Sequence, residues 1–163
     1  METARALGET LARKSIGLVY GGGKDGMAGA MARAALGAGG EVIGVMPKSL
    51  VEKGKAFDQL KDLRLAKDLH EHKAMFAELG DGFIGLPGGL GTLEEFFEIL
   101  TWAQLGLHQK PCGLVNVNGY FDHLLAFMDT VQRKEFISQP ERDLLMVAEN
   151  PDKILKLFSA FSH

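Results

Sequence analysis

A chain of 163 residues, 46% hydrophobic and 24% charged, has room for a core and the ordinary composition of one soluble globular domain. A net charge of −3 and a pI near 5.9 exclude the basic footprint of a nucleic-acid binder or an anionic-membrane binder. A single cysteine, Cys112, excludes an internal disulfide framework and fits a reducing cytoplasm; no apolar run is long enough for a bilayer, and Glu2, Arg5 and Glu9 argue against a signal peptide.

Glu2 to Arg13 reads as an amphipathic helix, and Ile16 to Tyr20 as a buried strand running into Gly21-Gly22-Gly23. Met27 to Leu36 is an alanine-rich helix closed by Gly37, Gly39 and Gly40. Val42 to Met46 is a strand stopped by Pro47. Residues 47–60, with Lys48, Lys53 and Lys55, read as a loop with the character of a mobile lid. Leu63 and Leu65 mark a short strand, Asp68 to Leu79 a helix, Phe83 to Leu86 a strand and Leu93 to Leu105 a helix. Cys112 to Val117 is a strand with the cysteine as a small core residue, and Tyr120 to Lys134 is a helix. Leu144 to Ala148 is a last strand, and a helix starts at Pro151 after Asn150. Apolar strands alternating with helices predict an α/β fold, a doubly wound parallel sheet in three layers, α/β/α. Nothing divides the chain, so residues 1–163 are expected to form a single Rossmann-like nucleotide-binding domain.

In such a sheet every strand-to-helix turn lies on the carboxyl edge, where ligands bind. Gly21 to Gly26 and Pro87 to Thr92 are both such turns, so they are expected to face one ligand together. Glycines can simply permit tight turns. Two such turns, with Thr92 placed to cap or donate, point instead to a phosphate on backbone N–H groups. The first turn also matches G-x-G-x-x-G, a dinucleotide signature. The acidic residue expected at the end of the next strand is missing, however: Glu41 starts that strand, and Val45, Met46 and Pro47 end it. Lys24 is not a Walker lysine, because Asp25 follows it.

Glu94 and Glu95 fall in the first turn of a helix read from Leu93. There they suit the dipole but would repel a phosphate unless aimed elsewhere. Neighbours on a helix are about 100° apart, so the two cannot share a target. Leu93, Phe96, Phe97, Leu100 and Ala103 form the buried stripe, with Glu95, Glu98 and Trp102 on another face. The plain reading is a pair of solvated caps; beside a glycine cradle, Glu95 is also a candidate catalytic carboxylate. In His70-Glu71-His72-Lys73 the zinc-protease spacing H-E-x-x-H is not met, and no metal is expected. His72 falls between Leu69 and Phe76 on the apolar side, as a neutral core or interface histidine does, and Lys73 reads as an exposed charge. His108, His123 and His163 show no partner pattern.

The glycine turn after Leu18-Val19-Tyr20, the run Pro87-Gly-Gly-Leu-Gly-Thr-Leu-Glu-Glu95 and the stretch from Thr101-Trp102 to Lys110-Pro111 together resemble the LOG ("lonely guy") family, often labelled lysine decarboxylase-like. The likeness extends over almost the whole chain, and the glutamate of P-G-G-x-G-T-x-x-E falls on Glu95. It implies a cytoplasmic, homodimeric, cytokinin-activating phosphoribohydrolase that needs no pyridoxal phosphate or other cofactor. Such an enzyme cleaves the N-glycosidic bond of a purine nucleoside 5′-monophosphate to give the free base and ribose 5-phosphate. The implied catalytic residues are Glu95 and His72. The implied substrate contacts are Gly21, Gly22, Gly23, Gly26, His70, Lys73, Pro87, Gly88, Gly89, Gly91 and Thr92. No nucleic-acid or membrane partner is implied. Two departures stand out. The family signature M-H-x-R-K reads Leu69-His70-Glu71-His72-Lys73, with His72 where the arginine is expected. The strand with a Cys-Gly-Ser-like turn that normally precedes the first helix is lacking from these residues. A nucleotide-binding protein with little or no turnover is the leading alternative, and a dinucleotide-dependent oxidoreductase the third.

Overall fold

The computed structural model describes residues 1–161, so His163 lies outside the described residues. The chain divides into two compact units, Met1–Gly80 and the residues from Asp81 on.

The first unit runs α1 (Glu2–Arg13), β1 (Leu18–Tyr20), α2 (Gly26–Gly37), β2 (Val42–Pro47), α3 (Lys48–Glu52), β3 (Asp62–Ala66) and α4 (Leu69–Leu79). Its three strands lie in the order β1-β2-β3, all parallel, with Leu18 opposite Val42 and Ile43 opposite Asp62. α1 buries Ala4, Leu7 and Leu11. It lies so close to α2 that a Cβ on Gly8 would stand 2.3 Å from the Met31 carbonyl oxygen. Small residues at 4, 8, 30, 32 and 35 make that approach possible, which accounts for the alanine-rich composition of α2.

The second unit runs β4 (Phe83–Gly85), α5 (Leu90–Gln104), β5 (Cys112–Val115), a 3-10 turn at Val117–Gly119, α6 (Asp122–Arg133), α7 (Gln139–Asp143), β6 (Leu145–Ala148) and α8 (Pro151–Ala160). Its strands lie in the order β4-β5-β6, again all parallel, with Phe83 opposite Cys112 and Cys112 opposite Leu145. Phe96, Ile99, Leu100, Leu114, Val115, Ile154 and Leu155 are buried. Cys112 is a core residue as expected; burial pushes its thiol up to about 12.

Three local expectations need correction. Residues 47–60 are not all loop: α3 lies within them, and Phe57 from the same stretch is buried. α7 has no counterpart among the expected elements; Ser138 and Glu141 close a capping box around it, satisfying two orphan donors at once. Above all, α5 begins at Leu90 rather than Leu93, because Gly89 in extended conformation serves as its N-cap.

Candidate active site

The β4–α5 turn stands at the carboxyl edge of the second unit's sheet. A Cβ on Gly88 would stand 2.2 Å from the Thr92 hydroxyl oxygen, so only glycine allows the turn to fold back onto Thr92. At Gly89 and Gly91 an added Cβ would meet nothing within 4 Å. Those glycines therefore leave the helix start open on its outer side. The first intrahelical bond runs from the Leu93 N–H to the Gly89 carbonyl. Leu90, Gly91 and Thr92 thus supply first-turn donors, and no described side chain caps them. Three other helix starts differ: Asp68 accepts from the Glu71 N–H at 2.9 Å in α4, Ser138 from the Glu141 N–H at 3.4 Å in α7, and Asn150 from the Lys153 N–H at 3.0 Å in α8. The Asp68 carboxyl is held below the usual range, chiefly by that Glu71 N–H. An uncapped helix start behind a glycine turn is a ready anion site.

With Gly89 as N-cap, the first turn of α5 contains no acidic residue. Glu94 and Glu95 lie in the second turn, beyond the stretch where they would cap the dipole, and both are exposed. The expected placement in the first turn is thereby corrected, and with it the repulsion that two carboxylates would exert on a bound phosphate. On the buried side, Phe96 and Leu100 pack inward as read, joined by Ile99; Leu93, Phe97 and Ala103 are half-buried. His108 braces this helix. Its Nε2–H donates to the Ile99 carbonyl at 2.9 Å and its Nδ1 accepts from the Lys110 N–H at 3.1 Å, the pattern of a neutral ring.

Tyr120 was missed in the sequence. It follows β5 by five residues and donates its hydroxyl to the Gly88 carbonyl at 2.8 Å. Only its position after a strand end hints at this. A cavity of about 430 Å³ also opens past the ends of β5 and β6, bounded by Asn116, Ala148, Lys153 and Lys156; it includes none of the residues Pro87 to Glu95.

In the first unit the β1–α2 turn likewise stands at the carboxyl edge. Gly22 takes φ of +72°, and its carbonyl accepts from the Phe57 N–H at 2.9 Å. The Lys24 N–H donates to the Lys55 carbonyl at 3.2 Å, and Gly23 bridges Ala56. The stretch read as a mobile lid is thus tied to this turn by backbone hydrogen bonds. Arg33 donates to the Lys24 carbonyl at 2.7 Å and stands over the Phe57 ring. Tyr20 donates to the Gly23 carbonyl, and burial pushes its phenol up to about 12 despite the nearby Arg33 charge. Gly21, Gly23 and Gly26 have open space where a Cβ would stand. α2 starts at Gly26 with Asp25 making no side-chain cap.

His70, His72 and Lys73 follow at the start of α4, on the same edge of that sheet. His70 is exposed and Lys73 half-buried. His72 is buried, and its Nε2–H donates to the Val45 carbonyl of β2 at 2.9 Å, with the Phe76 ring edge-on at 4.9 Å. No cluster of three or more potential metal-ligating side chains occurs among the described residues, and no described helix is long and apolar enough to cross a membrane.

Parallel strands joined through helices, with glycine turns at the carboxyl edges, define a Rossmann-like protein of the three-layer α/β/α class. Solved structures bear this out: the molybdenum cofactor binding protein of Rippkaea orientalis superposes with a TM-score of 0.72 at 20% identity, over 98% of this chain and 85% of that one, which shows the fold alone. The family model described as "Possible lysine decarboxylase" matches residues 28–158. A cytokinin riboside 5′-monophosphate phosphoribohydrolase of Rhodococcoides fascians is 45% identical over 150 residues, 91% of this chain and 76% of that one. A relative from Oryza sativa subsp. japonica, named as a probable enzyme of the same kind (LOGL6), is 42% identical over 161 residues, 99% of this chain and 64% of its own. The chain belongs to this LOG family. It spans 64% and 61% of the length of two of the rice relatives it matches.

Proposed function

We propose that this protein is a phosphoribohydrolase that cleaves the N-glycosidic bond of purine nucleoside 5′-monophosphates, AMP or its N6-modified cytokinin forms. Water adds to the ribose C1′, the bond from C1′ to the base nitrogen breaks, and the base leaves with a proton; the products are free base and ribose 5-phosphate. One observation carries the reading: an uncapped helix start with open glycines at 89 and 91, followed one turn later by the exposed Glu95. The names of the relatives support it.

In this reading the 5′-phosphate docks on the first-turn N–H groups of α5, with Pro87, Gly88, Gly89, Gly91 and Thr92 shaping the cradle. Glu95 stabilises the positive charge that develops on the ribose as the base departs, or orients the water. Gly21, Gly22, Gly23, Gly26, His70 and Lys73 are assigned to substrate contacts, and His72 to catalysis, on family position. The protein works without a cofactor or metal, as a homodimer in the cytoplasm.

A nucleotide-binding protein with little turnover is a second reading, and His72 favours it. Its Nε2–H is committed to the Val45 carbonyl, and an imidazole lacks the bidentate fork of the arginine expected there. Incubation with AMP and with isopentenyl-AMP, followed by assay of ribose 5-phosphate, decides between them. Release with either supports the enzyme. Measurable binding without release supports the second reading.

A further inference from the structure

We infer that Tyr120 is a clamp that fixes the orientation of the Gly88–Gly89 peptide and so presets the Gly89 N–H toward the phosphate; the ligand side of this inference rests on the function proposed above.

A peptide flanked by two glycines is the one most free to flip, because neither residue carries a Cβ to restrict its dihedrals. In a trans peptide the carbonyl of one residue and the N–H of the next point in opposite directions. Whatever holds the Gly88 carbonyl therefore also aims the Gly89 N–H. The Tyr120 hydroxyl holds that carbonyl at 2.8 Å. No intrahelical bond competes for it, since α5 takes its first bond from the Gly89 carbonyl.

The clamp is itself built rigidly. Asn116, just past β5, accepts from the Phe121 N–H at 2.7 Å and donates to Asp122 at 2.7 Å. Between them Asn118 takes φ of +51° and Gly119 φ of +70°, and the Tyr120 N–H closes onto the Val117 carbonyl. Phe121 is buried, and its ring lies at right angles to that of Tyr120, 5.0 Å away. β4 and β5 are adjacent and parallel, so the loop after β5 and the turn after β4 emerge side by side. An exposed tyrosine held by this knot against a neighbouring glycine turn has the geometry of a positioning residue.

Tyr120→Phe tests the clamp, because it removes the hydroxyl and keeps the ring. In ligand-free protein, the Gly89 amide followed by 15N NMR should split into two resonances in the variant, or show microsecond-to-millisecond conformational exchange that the parent lacks. With AMP, titration calorimetry should show Kd raised about five- to tenfold, and the steady-state loss should fall on KM more than on kcat. A loosened fold would instead lower the melting temperature and leave the affinity of the folded fraction unchanged. An unaltered Gly89 amide overturns the clamp, whatever the ligand does. A loosened Gly89 amide with no binding or turnover of AMP in the parent upholds the clamp and overturns the proposed function. A loosened amide with parental AMP affinity upholds the peptide restraint but overturns its role in binding.

Discussion

Gly91→Ala separates the phosphate cradle from every structural account of its glycines. Gly91 is the second residue of α5, outside the positive-φ glycines, and a Cβ added there meets nothing within 4 Å. The fold should therefore accept alanine. Replacing a helical glycine by alanine stabilises by about 0.5–1 kcal/mol, and a position this close to the helix start falls at the lower end. In a chain of this length that corresponds to a rise in melting temperature of about 1–3 °C. A helical Cβ leans toward the N-terminal end of its helix, so the new methyl tilts into the space a docked phosphate occupies. The expected outcome is a more stable protein whose KM for AMP rises at least tenfold, read by thermal unfolding and by ribose 5-phosphate release. Gly88→Ala behaves differently: its methyl collides with Thr92, so stability and activity fall together. A Gly91→Ala protein that binds AMP as tightly as the parent would refute docking on this helix start.

Glu95→Gln should lower turnover at least tenfold with the Kd for AMP nearly unchanged, since it removes charge and keeps shape; comparable electrostatic groups are worth about 2.7–4 kcal/mol of barrier. If Glu94→Gln has that effect instead, the wrong carboxylate has been assigned. His72→Phe keeps a ring against Phe76 but leaves the Val45 carbonyl without its imidazole donor, costing about 1 kcal/mol and thus about 2–4 °C of melting temperature; an unchanged melting temperature would show the bond contributes nothing. Burial pushes the Cys112 thiol up to about 12 in the folded chain, against about 8.5 for an unfolded one. The folded state thus holds the proton longer, and this group's support for folding is complete below about 8.5 and fades as pH rises toward 12. Urea midpoints should drop more between pH 7.5 and 10 for the parent than for Cys112→Ala, and a thiol reagent at pH 8 should label native protein at least a hundredfold more slowly than unfolded protein. Equal labelling rates would show the thiol is not buried.

The sequence carries most of this fold because its periodicities are strong and its punctuation is glycine and proline. β2 ends at Pro47 and α8 begins at Pro151 behind Asn150, as local chemistry dictates. What escaped depends on contacts far apart in the chain. Phe57 lies in a lysine-bearing stretch that reads as a loop; it is buried because the Gly22 carbonyl captures its N–H and Arg33 covers its ring. Tyr120 is 32 residues from Gly88 in sequence, and only the pairing of β4 with β5 brings them together. His72 was legible as an apolar-face histidine, but its acceptor, Val45, lies 27 residues away.

The start of α5 departs from the sequence pattern for a reason that bears on the chemistry. Gly91 is a poor helix former and Leu90, 88% exposed, stands off the apolar stripe, so the pattern beginning at Leu93 reads as the first turn. Beginning the helix at Leu90 moves Glu95 one full turn, about 5 Å, down the axis from the free donors. That separation removes a conflict built into the shorter helix, in which a carboxylate and a phosphate would have shared the same partial positive charge. In the proposed complex the longer helix keeps the carboxylate about one helical turn, about 5 Å, from the donors that would hold the phosphate. On the function proposed above, Leu90, Gly91 and Thr92 supply the donors for the phosphate end of the substrate and the spacing that sets Glu95 beside the sugar.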